Sequence, residues 1–446
     1  MMINARSAAL SALLHVDVNE GYSNIVLDKT LASFPMDSRD KALASAIFYG
    51  VLERRITLDY YLSRFSKSPL HKLDPQVLEI LRLGAYQILY LEKIPKSAAV
   101  NESVNLAKKN HLVKASGFIN AVLRSLIRNQ DSLSMPDAQS NPISYLSVKY
   151  SFPEWLIRLW QESYGEECVR GLLESSVDRP PVYARVNSTL ISRESLIERL
   201  QTEGIKANAI TWLEDAVSLE QTGSIRESAA FQNGLFHIQD LSSQLCCQLL
   251  DAQPGQRVID VCAAPGGKSF TIAEHMQNDG ELLAFDQYKG KVRLIRQGAE
   301  RLELSIIQAS VRDAATPPPE HLEPADRVLC DAPCSGLGII RRKPEIRYKL
   351  QTSIDSLPDL QYRIVCESSR LVKNGGLLIY STCTLNPKEN GLVARRFLEH
   401  HPDFSPFALR LPDPIHHVVK EPENEITLMP HVHGTDGFFI AAFQKR

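Results

Sequence analysis

Arg257-Val-Ile-Asp-Val-Cys-Ala-Ala-Pro-Gly-Gly-Lys-Ser-Phe270 is the stretch that decides the fold. Arg257–Val261 is a short apolar run of the kind buried in parallel sheets, and the residues from Ser269 to Met276 suit a helix. Between them, paired glycines let the backbone approach a ligand closely, and the helix N-terminus adds amide donors and a positive dipole end. The loop is neither G-x-G-x-x-G nor the phosphate-cradling G-x-x-x-x-G-K-[ST]. Its spacing therefore argues against a nicotinamide- or flavin-dependent oxidoreductase on the same fold.

Downstream the alternation continues. Leu282–Phe285, Ser305–Gln308, Arg327–Cys330 and Leu377–Tyr380 are further short apolar runs, separated by helical stretches at 291–302 and 360–371. A last helix is expected at 389–400, and Phe438–Phe443 follows as a strand with no crossover helix. The pattern predicts a doubly wound, Rossmann-like α/β domain over 236–446, with its ligand beyond the carboxyl ends of the strands.

Upstream the periodicity changes. Val77, Ile80, Leu81, Gly84, Ile88 and Leu91 fall on one helical stripe, and Phe118, Ile119, Val122, Leu123 and Leu126 on another. Helices are also expected at 7–15, 41–53 and 101–109, so residues 1–130 read as an all-α bundle. The polar, aperiodic stretch from Asn129 to Pro142 reads as a linker. Residues 143–235 read as a small α+β domain. It has a strand at Val182–Val186, a helix capped by Ser192 and ending at Gly204, and further strand within 209–219.

The 446 residues contain 50 Lys+Arg and 52 Asp+Glu, a net charge of -2 that is unevenly spread. Residues 1–130 carry 17 basic and 11 acidic side chains, a balance of +6, which leaves -8 on the rest. A basic front end suits a polyanionic partner or simply a solvated helical surface. The eight cysteines include no C-x-x-C pair, so neither a zinc site nor a disulfide framework is expected. No apolar stretch is long enough to span a bilayer and no signal peptide is visible, so a cytoplasmic location is expected.

Three strand-end loops carry the candidate chemistry. The first is the glycine loop, backed by Asp286 at the end of the next strand, where a carboxylate suits ribose hydroxyls. The second is Asp331-Ala-Pro-Cys-Ser-Gly-Leu-Gly338, followed by the basic run Arg341-Arg-Lys343, as a nearby nucleic-acid backbone would require. The third is Tyr380-Ser-Thr-Cys-Thr384. Taken singly, Cys383 reads as a packed thiol and the Asp331 loop as a turn with a helix cap. The combination of Cys334 and Cys383, both at carboxyl ends of strands, with a nucleoside-type loop before them, favours catalysis.

Ala263-Ala-Pro-Gly-Gly-Lys268, Asp331-Ala-Pro-Cys-Ser-Gly336 and Ser381-Thr-Cys383 resemble the motifs of RNA cytosine-5 methyltransferases of the NOL1/NOP2/Sun family. Residues 1–130, with Leu83-Gly-Ala-Tyr-Gln87 and Asn120-Ala-Val-Leu-Arg124, are similar to the NusB-type RNA-binding domain. Together they resemble the Sun/Fmu group of bacterial 16S ribosomal RNA methyltransferases along nearly the whole chain. The resemblance implies S-adenosylmethionine as cofactor, held by Cys262, Ala263, Ala264, Pro265, Gly266, Gly267 and Lys268, with Asp286 on the ribose and Asp331 nearby. The family's acidic residue near the adenine falls where this chain reads Gln308-Ala-Ser-Val-Arg-Asp313. Ser310 occupies the expected column, and Asp313 is the choice. Asp331 would also meet the target base, Cys383 attack it, and Cys334 help release the product. The implied substrate is 16S ribosomal RNA, naked or in an assembling small subunit, at the group's usual target, cytosine 967, with no metal and a monomeric enzyme.

That chemistry needs those residue types. Carbon 5 of cytosine is a poor nucleophile, and a thiolate adding to carbon 6 makes it enamine-like. A non-catalytic RNA-binding assembly factor would have no need for both thiols. A protein amide methyltransferase would want Asn-Pro-Pro-Tyr where this chain has Asp331-Ala-Pro-Cys334, and a DNA methyltransferase is the remaining alternative.

Overall fold

The computed structural model describes residues 4–19, 23–320 and 322–446, and the chain divides into two compact units. The first runs to Val177 and includes Ile340–Lys349; the second comprises Asp178–Ile339 and Leu350–Arg446.

The first unit is helical: α1 (Ala5–Asn19), α2 (Ser23–Ser33), α3 (Ser38–Ser63), α4 (Pro75–Tyr90), α5 (Lys96–Lys109), α6 (Val113–Arg128), α7 (Pro142–Tyr150), α8 (Glu154–Tyr164) and α9 (Glu166–Ser175). Asp74 starts α4 by accepting the amides of Gln76 and Val77, with Pro75 at the first helical position. The α4 stripe Val77, Ile80, Leu81 and Ile88 and the α6 stripe Ile119, Val122, Leu123 and Leu126 are buried together in one core. Gly84 is what lets them close, since a Cβ there would stand 2.6 Å from Leu123 and 2.7 Å from Ser103. In the segment Ile340–Lys349, Arg347 is 2 % exposed and donates to the carbonyls of Glu53 (2.8 Å) and Tyr150 (3.3 Å). The basic run Arg341-Arg-Lys343 is half-buried at the start of this segment.

The second unit holds two sheets. The smaller contains β1 (Val182–Val186), α10 (Arg193–Thr202), β2 (Lys206–Ala209), β3 (Ala216–Glu220), α11 (Ala229–Gln232) and β4 (Phe236–Ile238), antiparallel in the order β2-β3-β1-β4. Ser192 caps α10 as expected, accepting from the amide of Ser195. The expected strand within 209–219 is instead two strands, β2 and β3, flanking a loop at 210–215.

The larger sheet follows α12 (Leu241–Leu250). Its elements are β5 (Arg257–Asp260), α13 (Gly267–His275), β6 (Glu281–Asp286), α14 (Lys289–Arg301), β7 (Ile307–Val311), β8 (Ala325–Asp331), α15 (Leu357–Ser369), β9 (Val372–Thr382), α16 (Gly391–His400), β10 (Phe404–Pro406), β11 (Glu425–Leu428), α17 (Pro430–His433) and β12 (Phe438–Lys445). The order is β10-β12-β9-β8-β5-β6-β7, with β11 on β12; β7, β6, β5, β8 and β9 are parallel and β12 is antiparallel to β9. Alternate residues feed two cores: Leu282, Ala284, Leu329 and Ile379 on one face, Ile259, Phe285, Val328 and Leu378 on the other. Burial on both faces explains the continuous apolar runs. The third strand lies two residues later than expected, at Ile307–Val311 rather than 305–308, because β7 is an edge strand with three of its five residues exposed. The order in which successive strands are laid down reverses between β5 and β8, which are parallel, and a ligand crevice forms at such a point. Among the described residues no helix is long and apolar enough to cross a membrane.

Candidate active site

The loops after β5 and β8 flank this reversal, and the end of β9 lies beside β8. Cys383 stands one residue past β9 and Cys334 three past β8, and their sulfurs are 3.3 Å apart. Close backbone approach sets this juxtaposition. The amide of Gly338 donates to the Cys383 carbonyl at 3.1 Å, and a Cβ on Gly338 would meet the Gly437 carbonyl oxygen at 1.9 Å. Both thiols are half-buried, whereas Cys168, Cys246, Cys247 and Cys330 are buried. The Cys334 thiol is pushed well up, first by its hydrogen bond to Cys383 and then by burial.

Asp331 ends β8. Lys268 Nζ donates to its Oδ2 at 2.7 Å and the Ser381 hydroxyl to its Oδ1 at 2.9 Å. Burial alone would lower the Lys268 ammonium, but the Asp331 carboxylate holds it above its ordinary value. Lys268 is a natural candidate for ionising Cys383, but the structure commits it to Asp331.

The glycine loop runs from Cys262 to Lys268. Ala263 donates to the Phe285 carbonyl at 2.7 Å, which anchors the loop to the end of β6. Gly266 has φ +117°, a backbone conformation that favours glycine, and a Cβ there would overlap the Phe270 ring. No side chain caps α13, so its first amides remain for a ligand carboxylate. Asp260, beneath the loop, takes the Ser269 hydroxyl on Oδ2 at 2.7 Å, while its buried Oδ1 has no hydrogen-bond partner among the described residues. Burial pushes this carboxyl up to about 7. Asp286 is 8 % exposed at the end of β6, accepting from the Tyr288 amide at 3.0 Å. Uncapped helix amides, a glycine that must be a glycine, an orphaned acidic oxygen and a strand-end carboxylate fit an aminoacyl nucleoside. Cys262 is half-buried within the loop, and Ala264 and Pro265 complete it.

Asp313 and Ser310 are not drawn into this group as deeply. Ser310 is exposed in β7, opposite Phe285, and Asp313 is exposed two residues beyond the strand with Oδ1 accepting the Ala315 amide at 2.9 Å. Sequence reasoning missed Asp260 as a site residue and missed Glu389, which is fully buried behind the two thiols. Asp260 was visible as a charge closing an apolar strand. Glu389 gave no signal, since nothing in Asn386-Pro-Lys-Glu-Asn390 distinguishes a buried carboxylate from a solvated one.

Comparison with known proteins agrees with this architecture. Residues 247–444 match the family model 16S rRNA methyltransferase RsmB/F, residues 3–128 the NusB family, and residues 152–226 the ferredoxin-like domain of RsmF/B-like methyltransferases. The chain is 40 % identical to the probable ribosomal RNA small subunit methyltransferase B of Bacillus subtilis, covering 99 % of each. It is 33 % identical to the ribosomal RNA small subunit methyltransferase B of Vibrio cholerae, covering 100 % of this chain and 98 % of that one. The crystal structure of PH0851 superposes with a TM-score of 0.85 at 26 % identity, covering 99 % of this chain and 98 % of the other. The chain belongs to the 16S rRNA methyltransferase RsmB/F family, with S-adenosylmethionine as its cofactor.

Proposed function

We propose that this chain methylates carbon 5 of one cytosine in 16S ribosomal RNA, cytosine 967, with Cys383 forming a transient bond to carbon 6 of the base. The observation that carries the reading is the pair of thiols 3.3 Å apart beside an Asp331 whose two oxygens are both held. Relatives named for small-subunit ribosomal RNA methylation support the substrate class. The NusB-like helices with their excess of basic residues support an RNA partner. The working division is a helical RNA-binding domain at 1–130, a small domain at 143–235 and a catalytic domain at 236–446, acting as a monomer in the cytoplasm.

Residues Cys262 to Lys268 would hold the cofactor, with Asp286 on its ribose and Asp313 toward its adenine. When bound, S-adenosylmethionine supplies an electrophilic sulfonium methyl. Asp331 meets the Watson–Crick edge of a base splayed out of its stack, with Lys268 and Ser381 fixing its direction. Cys334 keeps its proton beside Cys383, so Cys383 gives up its own to water and presents the nucleophilic thiolate. Once that sulfur is bonded to carbon 6, the first of the influences that hold Cys334 protonated, its hydrogen bond to Cys383, is gone. Cys334 then loses its proton to water and becomes a base. It takes the proton from carbon 5 as the C5=C6 double bond re-forms, the C6–S bond breaks and Cys383 leaves as thiolate.

The test is a pair of variants. Cys383→Ala is expected to abolish methyl transfer to RNA while cofactor affinity stays within about twofold, because the thiol acts in chemistry and not in cofactor binding. Cys334→Ala is expected to trap a covalent protein–RNA species on a denaturing gel. Full activity in the first variant, or a missing adduct in the second, overturns the mechanism. Bisulfite mapping of ribosomal RNA from a knockout strain tests the nucleotide.

A further inference from the structure

Glu389 is 0 % exposed, and none of the steps above uses it. Its carboxylate accepts four hydrogen bonds: the Ser335 amide (2.8 Å) and the Gln361 side-chain amide (2.8 Å) on Oε2, the Ser335 hydroxyl (2.5 Å) and the Asn386 side-chain amide (2.8 Å) on Oε1. Four donors around a fully buried acid describe a carboxylate held for its charge and geometry, because without them burial would be costly. Glu389 is not a helix cap, since α16 has no side-chain cap at its start.

Three of the four donors come from the two catalytic loops, and the fourth, Gln361, from α15. Ser335 follows Cys334, and Asn386 lies three residues past Cys383. Thr384, which follows Cys383, has its hydroxyl 2.7 Å from the Ser335 hydroxyl. The Ser335 proton is directed to Glu389, so Thr384 must donate to Ser335, and the chain of bonds runs one way from the Cys383 loop through the Cys334 loop to the acid. Tyr380 adds a bond from its hydroxyl to the Glu389 carbonyl at 2.5 Å, fixing the acid to β9 itself.

We infer that Glu389 is a positioning residue for product release: it clamps the Cys334 loop, through Ser335, at the distance from Cys383 that lets Cys334 act on carbon 5 of the methylated base. The inference rests on the two-thiol reading above. Two of the four bonds fall on Ser335 and none on the residue next to Cys383, so losing the acid displaces Cys334 more than Cys383. General-base transfer is steeply sensitive to such displacement.

The experiment uses full-length protein, a 16S ribosomal RNA transcript and S-adenosylmethionine in single turnover. It follows methyl transfer by label and the adduct by denaturing gel, for wild type and for Glu389→Gln, Ser335→Ala and Cys334→Ala. Glu389→Gln turns one acceptor oxygen into a donor facing donors. It is expected to lower the ratio of adduct release to first-turnover methyl transfer at least tenfold, with unchanged cofactor affinity and circular dichroism. Ser335→Ala, which leaves the acid and three of its four bonds, is expected to lower the same ratio about threefold, and it decides the question if Glu389→Gln fails to fold. A persistent adduct in Cys334→Ala with normal release in the folded Glu389 or Ser335 variant overturns the role of Glu389 alone. No adduct in Cys334→Ala overturns the two-thiol reading, and this role with it.

Discussion

At the N-terminal end of α13, Lys268 meets Asp331 at 2.7 Å with 13 % and 26 % of the two side chains exposed. Near its C-terminal end, Arg185 of β1 bridges Asp215 at 2.8 Å and Glu274 at 3.1 Å, with Arg185 3 % and Glu274 0 % exposed. His237 approaches the same Glu274 at 3.3 Å, and His275 lines an adjoining cavity of about 450 Å³ with Arg185 and Trp212. Both are charge clusters, but Glu274, the acid at the centre of the second, is sealed from water, whereas both members of the first are partly exposed. The N-terminal cluster keeps its acid directed and accessible at the carboxyl edge of the sheet, where a ligand arrives. The C-terminal cluster ties the small sheet to α13 through an almost wholly buried Arg185–Glu274 bridge, while Asp215 stays 21 % exposed. The same chemistry of Lys, Arg, Asp and Glu thus serves reaction at one end of a nine-residue helix and architecture at the other.

The strongest way to break this contrast is to remove the buried cation. Arg185→Ala leaves Glu274 charged and enclosed, and is expected to lower unfolding free energy by about 3–5 kcal/mol, read by chemical denaturation. In the fraction still folded at low temperature, kcat should stay within about twofold, since the site lies a helix length away. A large fall in kcat with little loss of stability would move Arg185 into the chemistry. Next in size is Lys268→Met. Asp331 keeps its bond from Ser381 and its access to water, so stability should change by no more than about 1 kcal/mol. Methyl transfer, however, should fall by about 10- to 100-fold because the carboxylate is no longer aimed. The reverse pattern, an unstable but fully active variant, would make the two clusters equivalent.

That division of labour was only half legible in the sequence. The strand-end loops were visible because apolar runs buried on both faces of a parallel sheet end abruptly in polar residues, as at Asp260, Asp286 and Asp331. The four central strands of the sheet were visible for the same reason. The edge strand β7 was misplaced by two residues because its exposed face dilutes the apolar signal. The pairing of Lys268 with Asp331 was not legible, since 63 residues separate them and only the strand order brings them together. Nothing in Val182-Tyr-Ala-Arg-Val186 marks Arg185 as buried, and it is buried because its partner Glu274 lies on α13, 89 residues away. Glu389 is the extreme case, a charged residue between a strand and a helix whose burial depends on Ser335 in another loop and Gln361 on α15 as well as on its neighbour Asn386.

The smallest expected effect is also the one that separates the two ends by sign. Burial, helped by the charge of Arg185, holds His275 down to about 3, while burial pushes Asp260 up to about 7. Their unfolded values lie at about 6.5 and 3.9. At His275 the folded chain binds fewer protons than the unfolded one, so its contribution is complete above pH of about 6.5 and is lost as pH falls toward 3. At Asp260 the folded chain binds more protons, so its contribution is complete below pH of about 3.9 and is lost as pH rises toward 7. Melting of the cofactor-free protein at pH 5 and pH 7.5 tests both. His275→Gln should remove part of the acid-side loss, raising Tm at pH 5 relative to pH 7.5 by about 2–4 °C, and Asp260→Asn should shift the difference the other way by a similar amount. Shifts of the same sign in both variants would mean that the two ends of α13 share one electrostatic environment, and the contrast between them would fail.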